Sequence, residues 1–229
     1  FLLAQGVSGT GKSTLGTALA QALSMPFIEG DNLHPKANVD KMSSGQPLND
    51  ADREPWLELI RRTAIAEVAE QEHQLQMEEK TRVVVRGVVV SCSALKKYYR
   101  DILRGKQRQR QKDPATILSH SADLEDAHVG PDIVLPTYFV FIDGTRELLL
   151  ERMEKRPGHF MKASMLDSQL DTLESPVGEE GVIVVSQRDS TEEQVRKVQE
   201  TLGRITGFPL LGLSHYNTGK TNTWYKLEV

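Results

Sequence analysis

The chain has 229 residues, 38% of them hydrophobic and 26% charged, with a formal net charge of −4. That length fits one large α/β domain or two small ones, and the slight acidity argues against general affinity for nucleic acid or membrane surfaces. The single cysteine, Cys92, excludes an intrachain disulfide, no apolar run reaches the roughly 18–20 residues that span a bilayer, and Phe1-Leu2-Leu3-Ala4 lacks the length and basic flank of a signal peptide, so a cytoplasmic location is expected.

Apolar Phe1 to Ala4 reads as a strand running into Gly6, followed by a helix from Lys12 to Leu23 with Leu15, Leu19 and Leu23 every fourth residue. Pro26 stops that helix, and Phe27-Ile28 form a second strand ending at Glu29-Gly30-Asp31. A polar stretch with Pro35, Gly45 and Pro47 follows. Asp52 reads as the N-cap of a long helix with Pro55 in its first turn and Leu57, Ile60, Ala64 and Val68 on its apolar face. Val88-Val89-Val90 is a continuous β-branched run of the kind buried on both faces of a parallel sheet. Tyr138 to Ile142 is another, followed by a helix through Met153. Val182 to Val185 is a fifth strand, and Ser190 with Glu193 makes a capping box before a helix carrying Val195, Val198, Leu202 and Ile205. Strands alternating with helices predict a three-layer α/β/α fold around a parallel sheet. Two segments read as irregular, 105–136 and 207–229.

Gly6-Val7-Ser8-Gly9-Thr10-Gly11-Lys12-Ser13 matches the phosphate-loop pattern in full, between an apolar strand and an amphipathic helix, the context that separates it from a chance glycine-rich turn. Its glycines let consecutive backbone N–H groups of Ser8, Gly9, Thr10 and Gly11 face a β-phosphate, and the helix N-terminus through Ser13 and Thr14 adds its dipole. Lys12 reaches the β/γ oxygens and the Ser13 hydroxyl ligates Mg²⁺. ATP and Mg²⁺ are the expected cofactors. The D-x-x-G and N-K-x-D strings of switch GTPases do not occur. Asp143 could be a second metal-side carboxylate, although its place before Thr145 favours a simple turn.

On the acceptor side, Glu29-Gly30-Asp31 closes the second strand, and groups at carboxyl ends of parallel strands gather at the site. Asp31 is the candidate base for an attacking hydroxyl, and Glu29 a helper for the metal or its water. An acidic turn flanking Gly30 is the structural alternative. The tripeptide is embedded in further motifs: Asp31-Asn32-Leu33-His34-Pro35, Lys41-Met42, Gly45-Gln46-Pro47-Leu48-Asn49-Asp50, Asp52-Arg53-Glu54-Pro55-Trp56-Leu57, Cys92-Ser93-Ala94-Leu95-Lys96-Lys97-Tyr98-Tyr99-Arg100 and Arg156-Pro157-Gly158-His159-Phe160-Met161.

Together these closely resemble the P-loop gluconokinases over most of positions 4–206, interrupted between about 104 and 136. The resemblance implies a fold like that of shikimate and nucleoside-monophosphate kinases, with a five-stranded parallel sheet and a mobile lid. It also implies transfer of the γ-phosphoryl group of ATP to the 6-hydroxyl of D-gluconate. On that similarity Asp31 meets the acceptor hydroxyl and Arg53 and Arg100 bind gluconate, with His34, Lys96 and His159 as further contacts. The residue types agree, because a forked guanidinium suits a carboxylate. Other small-metabolite kinases, acting on shikimate or a nucleoside monophosphate, remain open alternatives, as does a non-catalytic ATP-binding module.

Arg146, Arg152, Lys155 and Arg156 recur along one helix leading into Gly158. A lid over about 156–172 would bring Arg152 and Arg156 to the phosphates, whereas a solvated face balanced by Glu147, Glu151 and Glu154 is the plainer reading. The basic segment from Lys106 to Lys112 has no aromatics and reads as a solvated insertion within the kinase domain (1–206) rather than a nucleic-acid platform. Residues 207–229 form a C-terminal extension. The expected partner is the small-molecule substrate, with no nucleic acid and no membrane. A homodimer is expected by analogy alone.

Overall fold

A computed structural model describes residues 1–77, 86–106, 135–155 and 163–207, without the side chains of 153–155 and 163–165. Five strands, β1 (Leu2–Gln5), β2 (Phe27–Glu29), β3 (Val89–Cys92), β4 (Tyr138–Asp143) and β5 (Val182–Ser186), form one sheet in the order β2-β3-β1-β4-β5. Every pairing is parallel. The helices are α1 (Lys12–Leu23), α2 (Lys36–Ser43), α3 (Asp50–Met77), α4 (Lys97–Leu103), α5 (Arg146–Lys155), α6 (Ala163–Thr172) and α7 (Thr191–Thr206). Among the described residues no helix is long and apolar enough to cross a membrane.

Strand side chains alternate between two apolar layers, as the pleat requires. Leu3, Val90 and Phe139 face a core with Trp56, Leu57, Ile60 and Ala64 of α3 and Tyr99, Ile102 and Leu103 of α4. Leu2, Val89, Val140 and Ile183 face the opposite core, against Leu15, Leu19 and Leu23 of α1 and Val198 and Leu202 of α7. Because both faces are covered, the chain reads as unbroken apolar runs over Phe1–Ala4 and Val88–Val90, which supply most of β1 and β3. The three-layer α/β/α fold expected from the alternation is the one found.

Details shift at the element ends. The expected capping box of α7 is present, with Glu193 N donating to Ser190 Oγ at 3.2 Å and Ser190 N to Glu193 Oε2 at 2.9 Å. For α3 the expected cap moves. Asn49 Oδ1 accepts from Asp52 N at 2.9 Å while Asn49 N donates to Asp52 Oδ2 at 2.8 Å. Asn49 is therefore the cap and Asp52 its partner three residues in, which leaves Pro55 in the second turn. The polar stretch after β2 contains α2, and Ile205 is 48% exposed rather than packed on the sheet. Of the expected irregular segments, 107–134 and 208–229 lie outside the described residues, as do Arg156 and His159 in 156–162. The rest of the expected lid, 163–172, is α6.

Candidate active site

Parallel strands in register finish at one edge: Gln5 lies opposite Cys92 and Phe141, Glu29 opposite Ser91, and Asp143 opposite Ser186. The loops leaving that edge carry the chemistry. After β1 the phosphate loop curls back on itself, Thr10 Oγ1 donating to Val7 O at 2.9 Å and Lys12 Nζ to Val7 O at 3.1 Å. Gly11 sits at φ 97° as the residue preceding α1, a left-handed conformation that a side chain would strain. No side chain caps that helix end and no acid occupies its first turn. The exposed Ser13 and Thr14 thus stand at the positive end of the dipole.

The remaining phosphate-loop contacts come from afar. Ser8 N donates to Gln169 Oε1 of α6 at 2.7 Å, Gln187 Nε2 after β5 donates to Gly9 O at 3.3 Å, and Arg152 Nη2 donates to Gln187 O at 2.7 Å. Arg152 lies over the loop, its Nη1 4.0 Å from where a Cβ on Gly11 would stand. Arg152, expected at the phosphates, stands beside the phosphate loop.

The acceptor loop begins at Glu29. Ser91 Oγ donates to the Glu29 carboxylate and accepts from Gly30 N at 3.2 Å. Trp56 Nε1 of α3 donates to Gly30 O at 2.8 Å. Position 30 admits only hydrogen, since a Cβ there would stand 2.1 Å from the Ser91 carbonyl oxygen. This clamp fixes the turn from Gly30 to Leu33 and presents Asp31, exposed, beyond the strand end.

Electrostatics tie the two loops together. Burial pushes the Lys12 ammonium down from its ordinary value, with the negative charges of the neighbouring acceptor side, Asp31 foremost, opposing the shift. Cys92 itself is buried, which raises its thiol to about 12. His34 stacks on Trp56 with ring centroids 3.9 Å apart and planes 17° from parallel. Its burial lowers the imidazole's pKa, with Asp31 opposing and Arg53 adding to the shift. The ring is thus held on the Trp56 indole, with Asn38 Nδ2 3.4 Å from its Nδ1.

Farther from the phosphate loop, Arg53 Nη1 donates to Tyr99 Oη at 3.3 Å, and Lys96 Nζ holds both oxygens of Asp50 at 2.7 and 2.9 Å. Tyr99 Oη donates to the same Asp50 carboxylate. Arg53 and Lys96 therefore stand together against the Tyr99 ring, at 5.7 and 5.6 Å from its centroid.

Arg100 does not join them. Its side chain is fully buried and turned into the protein, Nε and Nη2 donating to Glu179 at 3.1 and 2.5 Å and Nη1 to the carbonyls of Ala94 and Leu95 at 3.0 and 3.1 Å. A guanidinium so engaged has no fork to offer a gluconate carboxylate, and the expected ligand is a framework residue bracing α4 against the Glu179 loop. Asp50 and Tyr99 were overlooked in the sequence despite standing inside the quoted motifs. Gln169 carried no sequence signal.

The donor set suits a nucleotide and its metal. Among the described residues no cluster of three or more His, Cys, Asp or Glu could hold a metal ion.

Comparison with known proteins adds an independent line. The shikimate kinase family model matches residues 8–108. A gluconokinase of Gluconobacter oxydans is 44% identical over 186 residues, covering 81% of this chain and 82% of that one. The thermosensitive gluconokinase of Escherichia coli K12 is 39% identical, covering 80% of this chain and 76% of its own. The crystal structure of a gluconokinase from Sinorhizobium meliloti superposes with a TM-score of 0.64 at 38% identity, covering 93% of this chain and 97% of that one.

Proposed function

The chain belongs to the gluconokinase family of P-loop kinases, and from that premise we propose that it transfers the γ-phosphoryl group of MgATP to the 6-hydroxyl of D-gluconate, giving 6-phospho-D-gluconate and ADP. The observation that carries the reading is that Asp31, exposed just past the carboxyl end of β2, and the phosphate loop with Lys12, which leaves the end of β1, lie on the same edge of the parallel sheet.

Each residue then has a task. The free amides of the phosphate loop and the α1 terminus hold the β-phosphate, and Lys12 follows charge onto the migrating group. Ser13, with Glu29 nearby, would hold Mg²⁺, which supplies charge neutralisation on the phosphates. Arg152 adds positive charge from the α5 side, and Arg156 is assigned the same role. Asp31 orients the acceptor hydroxyl and takes its proton as the O–P bond forms. A neutral His34 flanks the acceptor, while Arg53 and Lys96 receive the carboxylate at the far end, with His159 as a further contact. Arg100 is left out of this set. A cytoplasmic location fits an enzyme that draws on ATP.

The decisive experiment is an ADP-release assay coupled to NADH oxidation, with gluconate, shikimate and nucleoside monophosphates offered separately. Turnover on gluconate alone is expected, and Asp31→Asn should abolish it while ATP still binds. Turnover on shikimate or a nucleotide with none on gluconate would sink the assignment.

A further inference from the structure

The acceptor side holds two cations whose placement depends on groups not yet given a role. Asp50 opens α3 and Tyr99 lies in the middle of α4, and their contact joins the two helices. The Tyr99 ring is 1% exposed, so its hydroxyl is a fixed point. That hydroxyl donates to Asp50 and accepts from Arg53. Lys96 is bound by both oxygens of Asp50 and lies 5.6 Å from the Tyr99 ring centroid, with the Arg53 guanidinium at 5.7 Å from the same centroid. The phenol stays protonated as a donor, because burial and then the Asp50 bond raise its pKa.

Two features argue that this arrangement serves binding rather than folding. The Asp50 and Lys96 side chains keep 49% and 30% of their surface exposed, and ion pairs as open as that add little to stability. The charge count is also lopsided. One carboxylate stands between two cations, while the neighbouring Lys41 and Asp52 neutralise each other at 2.5 Å. The remaining excess is a single positive charge.

We propose that Asp50 and Tyr99 are the positioning pair of the acceptor site, holding Lys96 and Arg53 in place for the carboxylate and limiting the receptor's charge so that it selects a monoanion. Tyr99 aims Arg53. Asp50 aims Lys96 and cancels one of the two positive charges. The inference rests on the gluconate reading above and names the residues that tune its specificity.

Steady-state kinetics with gluconate and ATP varied in turn test it, using wild type, Tyr99→Phe, Asp50→Asn and Asp50→Glu, together with malonate as a dianionic competitor of gluconate. Tyr99→Phe should raise the gluconate KM about fivefold, the scale of one lost hydrogen bond, with kcat and the ATP KM within about twofold. Asp50→Asn should raise the gluconate KM and tighten malonate inhibition about tenfold relative to wild type. Asp50→Glu, which restores the charge, should return malonate inhibition towards the wild-type value. An unmoved gluconate KM in both Tyr99→Phe and Asp50→Asn would overturn the pair's role. So would parallel losses in kcat, both KM values and melting temperature, the signature of a framework contact. Failure of the wild type to use gluconate would instead remove the parent reading, and this inference with it.

Discussion

Replacing Arg100 by Met separates a framework arginine from a substrate ligand. Arg100 is wholly buried and makes four hydrogen bonds, two to Glu179 and two to main-chain carbonyls. Breaking a buried ion pair by removing one partner costs about 3–5 kcal/mol, chiefly through the charge left behind. Here the remaining carboxylate is 18% exposed and keeps Arg104 Nη2 at 3.1 Å. The two carbonyls also keep partners, Gln5 Nε2 on Ala94 O at 3.0 Å and Glu174 N on Leu95 O at 2.9 Å. Arg100→Met should therefore fall near the lower end, about 3 kcal/mol. Glu179→Ala strands the guanidinium itself and should cost about 4–5 kcal/mol. The double variant should lose clearly less than the sum of the two. Urea unfolding followed by tryptophan fluorescence, with the m-value checked for constancy, gives these differences.

The acid limb of the same experiment has a defined sign. Burial raises the Glu179 carboxyl, but Arg100 and Arg104 outweigh it and leave the group below its ordinary value of 4.5. Its stabilising contribution is thus complete above about pH 4.5 and lost as pH falls through the lower folded value. Glu179→Gln should flatten that part of the profile. A gluconate KM close to wild type in folded Arg100→Met completes the expectation. A stability loss under about 1 kcal/mol, together with a gluconate KM raised tenfold or more, would refute the framework role and return Arg100 to the binding site.

Three further outcomes are expected. Lys12→Met should lower kcat by about 10³-fold or more in the ADP-release assay, because a cation beside the migrating phosphoryl group is lost, and a fall of tenfold or less would contradict its placement. Gly30→Ala drives a methyl group to 2.1 Å from the Ser91 carbonyl oxygen. It should destabilise the protein by about 1–3 kcal/mol and cut activity by displacing Asp31, whereas an unchanged melting temperature would show that the turn yields freely. The Cys92 thiol, buried and raised to about 12, should react with Ellman's reagent at pH 8 far more slowly in the native protein than in urea, and equal rates would contradict its burial.

What could be read in advance followed the range of the interactions involved. The phosphate loop and its strand–helix flanks are a local pattern, and Leu15, Leu19 and Leu23 alone locate α1. The capping box of α7 is equally local. At α3 a polar cluster offered several caps, and only the reciprocal Asn49–Asp52 bonds decide between them. At seven residues, α4 is too short to show a helical period. Arg100 was misread because a motif records that a residue belongs to a site's neighbourhood, not where its side chain turns. Its counter-charge stands 79 positions away. Gln169 meets Ser8 across 161 positions, a contact that no sequence pattern announces. Asp50 and Tyr99 were in view, yet their joint action on Lys96 and Arg53 emerges only once α3 and α4 are packed together.

Helix α6 touches both halves of the catalytic edge. Near its middle, Gln169 occupies the Ser8 amide, and just beyond its end Glu174 accepts from Lys97 N at 2.6 Å and donates its own N–H to Leu95 O at 2.9 Å. An incoming phosphate oxygen that takes the Ser8 amide must evict a neutral carbonyl already seated there, so nucleotide uptake is a substitution whose net gain is the difference between two hydrogen bonds. The evicted glutamine belongs to the same rod that steadies the backbone on either side of Lys96. The phosphate loop and the backbone around Lys96 thus share one support, α6 together with the residues that immediately follow it.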